Sequence, residues 1–144
     1  MRAEQNKAIF LQFIDELRRG NLAIIDEVCS SDFAFHSPNW PNWPRGIEGA
    51  RQLAMYGRQL YPDACVTIDD IIAENDRVAV KWTITGTRVG PQRPGSPPYG
   101  QKATVGSMSW YRFVEGKIVE DWGTEVFWPT GAPDFEIGEW HGNR

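Results

Sequence analysis

At 144 residues the chain suffices for one domain built around one core. Hydrophobic residues at 41% and charged residues at 24% match ordinary globular proteins, which excludes a disordered chain or a long solvating tail. A net charge of −4 without any Lys/Arg cluster argues against a nucleic-acid partner, and no apolar run is long enough for a membrane span.

The polar stretch Met1–Lys7 lacks the charged-then-apolar order of a secretory signal, so a cytoplasmic location is expected. Ile9, Phe10, Phe13, Ile14 and Leu17 then recur on one helical face between Ala3 and Arg19, and Gly20 supplies the stop. Asn21 can cap a second, short helix whose buried stripe is Leu22, Ile24, Ile25, Val28 and Cys29. Phe33 to His36 alternates as a short strand. The following SPNWPNWPR, Ser37 to Arg45, carries three prolines and reads as a stiff aromatic loop, because proline removes donors and fixes φ.

A third helix is expected from Gly46 to Tyr61, ended by Pro62. Beyond it the period changes from helical to two. Cys65–Ala73, Arg77–Val89, Gln101–Val114 and Lys117–Phe127 are rich in Val, Ile, Thr, Trp and Tyr, and the turn signals between them predict an antiparallel meander. The Pro/Gly stretch Gly90–Gly100 is expected to overhang one end of the sheet, and residues 128–144 to pack on the domain or on a partner subunit. Cys29 and Cys65 lack metal-ligand spacing and read as small buried hydrophobes.

The segments GIEGARQL, YPDACVTIDDIIAENDRVAVKWTITGTRVG, PPYGQKATV and YRFVEGKIVEDW are similar, in that order, to the signature blocks of SnoaL-like polyketide cyclases, a branch of the nuclear transport factor 2-like superfamily. The resemblance runs from about residue 6 to residue 127. It implies one α+β domain over residues 1–144: an NTF2-like cone, three N-terminal helices packed on a strongly curved, mainly antiparallel sheet that encloses a pocket. It also implies a homodimer formed through the sheet. In that family an aspartate directly after the tryptophan of the last strand is the general acid/base of an intramolecular aldol ring closure, helped by a polar or His side chain on the preceding strand. Here Gly123 follows Trp122, and the helper position falls at Ser109 with Ser107 beside it.

Alternation puts Asp121, Gly123, Glu125 and Phe127 on one strand face and Glu120, Trp122, Thr124 and Val126 on the other. Asp121 and Glu125 are therefore the candidate replacements for the family carboxylate, since an apolar cavity raises a carboxyl's proton affinity towards neutrality. His36, at the end of the short strand, is the third candidate proton shuttle. Trp40, Tyr56, Trp82, Ser107, Ser109, Trp110 and Phe127 are the candidate substrate-binding residues, apolar walls with a few polar groups being what a small-molecule site requires. Tyr99, Trp43 and Trp128 are further candidate wall residues, and His141 reads as surface.

Asp69 and Asp70 do not make a metal site, since neighbours on a strand point to opposite faces and no third ligand is near. No nucleophile elbow, phosphate loop or dinucleotide fingerprint is present, so no cofactor is expected. The first expectation is a cofactor-independent enzyme that cyclises, dehydrates or isomerises a cyclic apolar, polyketide-like substrate by acid/base chemistry or by confinement. The alternatives are a non-catalytic module that binds a small hydrophobic molecule and a purely dimerising domain.

Overall fold

The computed structural model describes residues 2–38, 40–90 and 99–129, with 125–129 described by backbone alone. Helix α1 spans Arg2–Arg18, α2 Ile24–Val28, strand β1 Cys29–His36, helix α3 Gly46–Leu60, and strands β2 Cys65–Glu74, β3 Arg77–Thr87, β4 Lys102–Val114 and β5 Lys117–Pro129. The expected helices and strands are all present. The second helix is shorter than its apolar stripe implies, because Cys29 already adopts extended backbone and opens β1. Cys29 is buried as expected, whereas Cys65 is exposed at the start of β2.

The five strands form one sheet in the order β1-β5-β4-β3-β2. The meander β2 to β5 is antiparallel throughout, and β1 joins its far edge parallel to β5. This is the α+β, NTF2-like arrangement. The tight β4–β5 turn places Glu115 at φ 50° and Gly116 at φ 75°, a left-handed pair that a glycine accepts without a Cβ clash. Register slips at Ile68/Asp70 and Arg112/Phe113 each insert a bulge, which bends and twists the strands.

One sheet face, the inner one, carries the core. Phe10, Phe13 and Ile14 of α1 pack with Val78 and Val80 of β3, Tyr111 and Phe113 of β4 and Ile118 of β5, and all are buried. Helix α1 lies over β2 and β3 while α3 lies over β1, so the inner face of β4 and β5 near Ser109 runs between the two helices. Arg58 of α3 donates to the Leu17 carbonyl at the end of α1 and ties the helices together at one end. No helix among the described residues is long and apolar enough to cross a membrane. The 91–98 stretch and residues 130–144, with the expectations placed on them and on His141, lie outside the described residues.

Candidate functional site

The inner site is built on the parity of β4 and β5. Ser109 pairs with Gly123, Tyr111 with Asp121, and Phe35 of β1 with Asp121, so these five positions share one face. Asp121 is 6% exposed and Ser109 9% exposed. A Cβ added at Gly123 would meet the Phe35 Cε2 and the Ser109 Oγ at 3.6 Å each and the Asp121 Oδ1 at 3.9 Å. These are ordinary contact distances, so the glycine leaves a space one group wide between a hydroxyl and a carboxylate. The Trp82 indole N–H donates to Ser109 Oγ at 3.1 Å. Cys29, on the β1 side, has its thiol pushed up to about 12, first by burial and then by the charge of Asp121.

Aromatic side chains wall this floor. Trp43 meets Phe35 edge to face at 5.7 Å between centroids, and Trp40 meets Trp43 at 5.4 Å and Tyr56 of α3 at 4.9 Å. The Trp43 N–H donates to the Gly49 carbonyl at 2.9 Å, fastening the proline-rich loop to α3. Phe35, Trp43, Leu53, Tyr56 and Trp82 are only half-buried, so solvent reaches this part of the inner face. Phe35 was not among the expected site residues, whereas Trp43 was expected as a wall residue and is one. Period-two alternation from the buried Phe33 carries enough signal to place Phe35, and nothing local places Trp43 against it.

Of the candidate proton-transfer groups, Asp121 and His36 do not converge. His36 pairs with Trp122 and stacks on its ring at 4.0 Å, on the outer face, one residue and therefore one side of the sheet away from Phe35 and Asp121. The register sets Glu125 opposite Ser107 and Phe127 opposite Val105, on the inner parity, and their side chains lie outside the described residues. Ser107 donates to the Thr124 carbonyl at 3.0 Å. Trp110 pairs with Trp122 on the outer face, is 51% exposed and lines the outer cavity, not the inner floor. Tyr99 is 68% exposed and does not border the outer cavity among the described residues. Trp128 lies outside the described side chains.

The outer face holds a cavity of about 730 Å3. Its floor is a ladder across the sheet, Ile72, Ala79, Trp110, Trp122 and His36, each paired with the next. The loop at Pro38, Trp40 and Pro41 forms one wall. Thus Trp40, Ser109 and His36 border this outer cavity, whereas Asp121 and Trp82 do not. Below the ladder, Glu120 accepts from Arg112 and from the Trp122 indole, each at 2.9 Å, and these two donors hold its carboxyl below the usual range. Asp69 also departs from simple alternation. It is the bulged residue of β2, and its carboxylate accepts from Thr83 at 2.6 Å, on the same outer side as Asp70 opposite Lys81. No group of three metal-ligating side chains exists among the described residues.

With this geometry in hand, comparison with known proteins is decisive for the family. The SnoaL-like polyketide cyclase model matches residues 8–125. The chain belongs to that family. Among solved structures, AclR of Streptomyces galilaeus, a proposed hydroxylase, is similar at 28% identity and TM-score 0.67, over 85% of this chain and 90% of AclR. A proposed SnoaL-like polyketide cyclase of Jannaschia sp. CCS1 is similar at 25% identity and TM-score 0.73, over 86% of this chain and 87% of that one. IdmH of Streptomyces antibioticus, a proposed polyketide cyclase, is similar at 25% identity and TM-score 0.69, over 84% and 91%. No curated protein sequence matches the chain. Family and neighbours together support a cyclase-like enzyme on the SnoaL-like scaffold.

Proposed function

We propose that this SnoaL-like protein is an acid/base enzyme that cyclises, dehydrates or isomerises a small cyclic apolar substrate, with Asp121 as its proton-transfer group. One observation carries the reading. Gly123 stands where the family's aspartate is expected, and the Asp121 carboxylate reaches to 3.9 Å from the point where a side chain at 123 would begin. The carboxylate has moved by one inner-face position, not vanished. In a ring closure it would take a proton from the carbon beside a substrate carbonyl; that carbon bonds to a second carbonyl, and the proton returns to the alkoxide formed. Glu125, on the same parity, is the second proton-transfer group of the proposal. His36 has no role in it, being across the sheet.

The test uses 2-tetralone, a flat bicyclic ketone with an acidic benzylic α-position. Exchange of that proton in D2O, followed by NMR, is expected to be faster with protein than in buffer. Asp121→Asn is expected to remove about 10²–10⁴-fold of the acceleration. Exchange at the wild-type rate in that variant sinks the reading.

The exposed outer face supports a homodimer as the second part of the proposal. Ile72 at 65%, Met108 at 63%, Trp122 at 52% and Trp110 at 51% exposure are more apolar surface than a monomer ordinarily leaves contiguous. The ladder is flanked by charges of both signs, Arg77, Arg112 and Glu120 on one side and Asp70 and Lys81 on the other. A two-fold axis can appose such rows. Trp110→Glu with Trp122→Glu is expected to halve the mass measured by light scattering; an unchanged mass removes the dimer.

A further inference from the structure

The acid/base reading needs a group that recognises the substrate's carbonyl oxygen, and the inner floor contains an arrangement suited to it. Ser109 Oγ has one proton to donate. It already accepts the Trp82 indole N–H, a donor that cannot accept in return. The serine's own proton must therefore point away from Trp82. On the side of β5 the neighbour is Gly123, whose missing side chain leaves the space that begins 3.6 Å from Oγ.

Trp82 is not free to release the serine. Its ring packs against Phe10 of α1 at 6.0 Å and against Tyr111 at 6.4 Å, nearly at right angles to the latter. Both of those rings are buried. Trp82 comes from β3 and pairs with Ser107, so its indole reaches diagonally to Ser109.

We propose that Ser109 is the donor of a carbonyl-oxygen subsite opened by Gly123, and that Trp82 is the positioning residue that fixes the direction of its hydroxyl. The ligand class is a cyclic ketone or its enolate, seated with its oxygen in the space above Gly123 and its α-carbon towards Asp121. The inference deepens the acid/base reading and rests on it for the location of the site. It adds what that reading lacks: a reason for the glycine and a role for an indole that does not touch the reacting carbon. A ground-state hydrogen bond of this kind is worth roughly two- to tenfold in affinity, and a donor to the developing oxyanion roughly a hundredfold in rate.

The experiment compares 2-tetralone with tetralin, the same bicycle without the oxygen, by ligand-observed NMR titration. The wild type is expected to prefer the ketone by two- to tenfold. Ser109→Ala is expected to erase the preference and Ser109→Thr to keep it. Trp82→Phe keeps an aromatic ring but removes the N–H together with the five-membered ring of the indole, and is expected to reduce ketone affinity by a larger factor than tetralin affinity, so that the preference falls. A merely structural role for Trp82 would weaken both ligands alike, and that result overturns its positioning role. No preference in the wild type, or a preference retained in Ser109→Ala, overturns the subsite. Asp121→Asn, read by proton exchange, separates the two ideas: exchange lost there with the preference intact in Ser109→Ala leaves the acid/base reading standing and removes the subsite.

Discussion

Gly123→Ala separates folding from ligand recognition at one position. The added methyl meets Phe35 Cε2 and Ser109 Oγ at 3.6 Å and Asp121 Oδ1 at 3.9 Å, all within ordinary van der Waals range. The position lies within a strand and not in the left-handed region, so no backbone strain opposes the change. Removing a strand glycine gains about 0.5–1 kcal/mol through the lower entropy of the unfolded chain. For a domain of this size that is a rise in Tm of about 2–5 °C. The same methyl occupies the space assigned to the ketone oxygen, so the ketone-over-tetralin preference is expected to fall to about one. Thermal unfolding by circular dichroism and the NMR titration measure the two effects on the same sample. A loss of stability above about 1 kcal/mol would mean that the space is already filled. An unchanged ketone preference would mean that the oxygen binds elsewhere.

Gly49→Ala gives the opposite result, because its Cβ would come 1.8 Å from the Pro44 carbonyl oxygen, a backbone atom that cannot swing away. The expected cost is about 2–4 kcal/mol by urea denaturation, with the Trp43 fastening loosened; a loss below 0.5 kcal/mol contradicts the close packing. Glu120 has its folded carboxyl held below the unfolded value by Arg112 and Trp122, so its contribution is present above the unfolded pKa and is lost as pH falls through the folded value. Glu120→Gln is therefore expected to flatten the acid limb of the stability–pH curve, by under about 1 kcal/mol because the pair is partly solvated. A curve parallel to wild type denies the coupling. Native protein is expected to react with a thiol reagent at Cys65 only, since the Cys29 thiol is buried and titrates near 12; two equivalents at neutral pH would contradict that burial.

The elements were legible because their periods are. Phe10, Phe13 and Ile14 mark α1 by spacing alone, and the shift to alternation after Pro62 marks the meander. The parity of Asp121 and Gly123 was equally plain, since it needs only one strand. Parity also sends the side chains of Ser109 and Trp110 to opposite faces, although the backbone of Ser109 still borders the outer cavity beside Trp110. The partner of β1 was not legible. Its parallel pairing with β5 is non-local, and only that pairing reveals that His36 stands behind Asp121 and not beside it. The bulge at Asp69 was hidden for a related reason, because a slipped register belongs to the pair of strands and not to either one. The Trp82–Ser109 bond depends on a diagonal reach across β3 and β4 that no spacing within either strand announces.

The parallel union of β1 with β5 also sets the order in which the site comes into being. Strands β2 to β5 are consecutive in the chain, and β2–β3 and β4–β5 close through two-residue turns, but β1 must wait for β5, which ends the described chain. The contact that brings Phe35 and the tryptophan loop behind it to Asp121 is therefore the one with the largest sequence separation to close. Until then a nascent chain exposes the free edge of β5 and the apolar side of β1 together, the pairing most open to capture by another copy. The aromatic wall and the Asp121 carboxylate thus belong to two parts of the fold joined only by the β1–β5 pairing, the longest-range strand contact in the sheet.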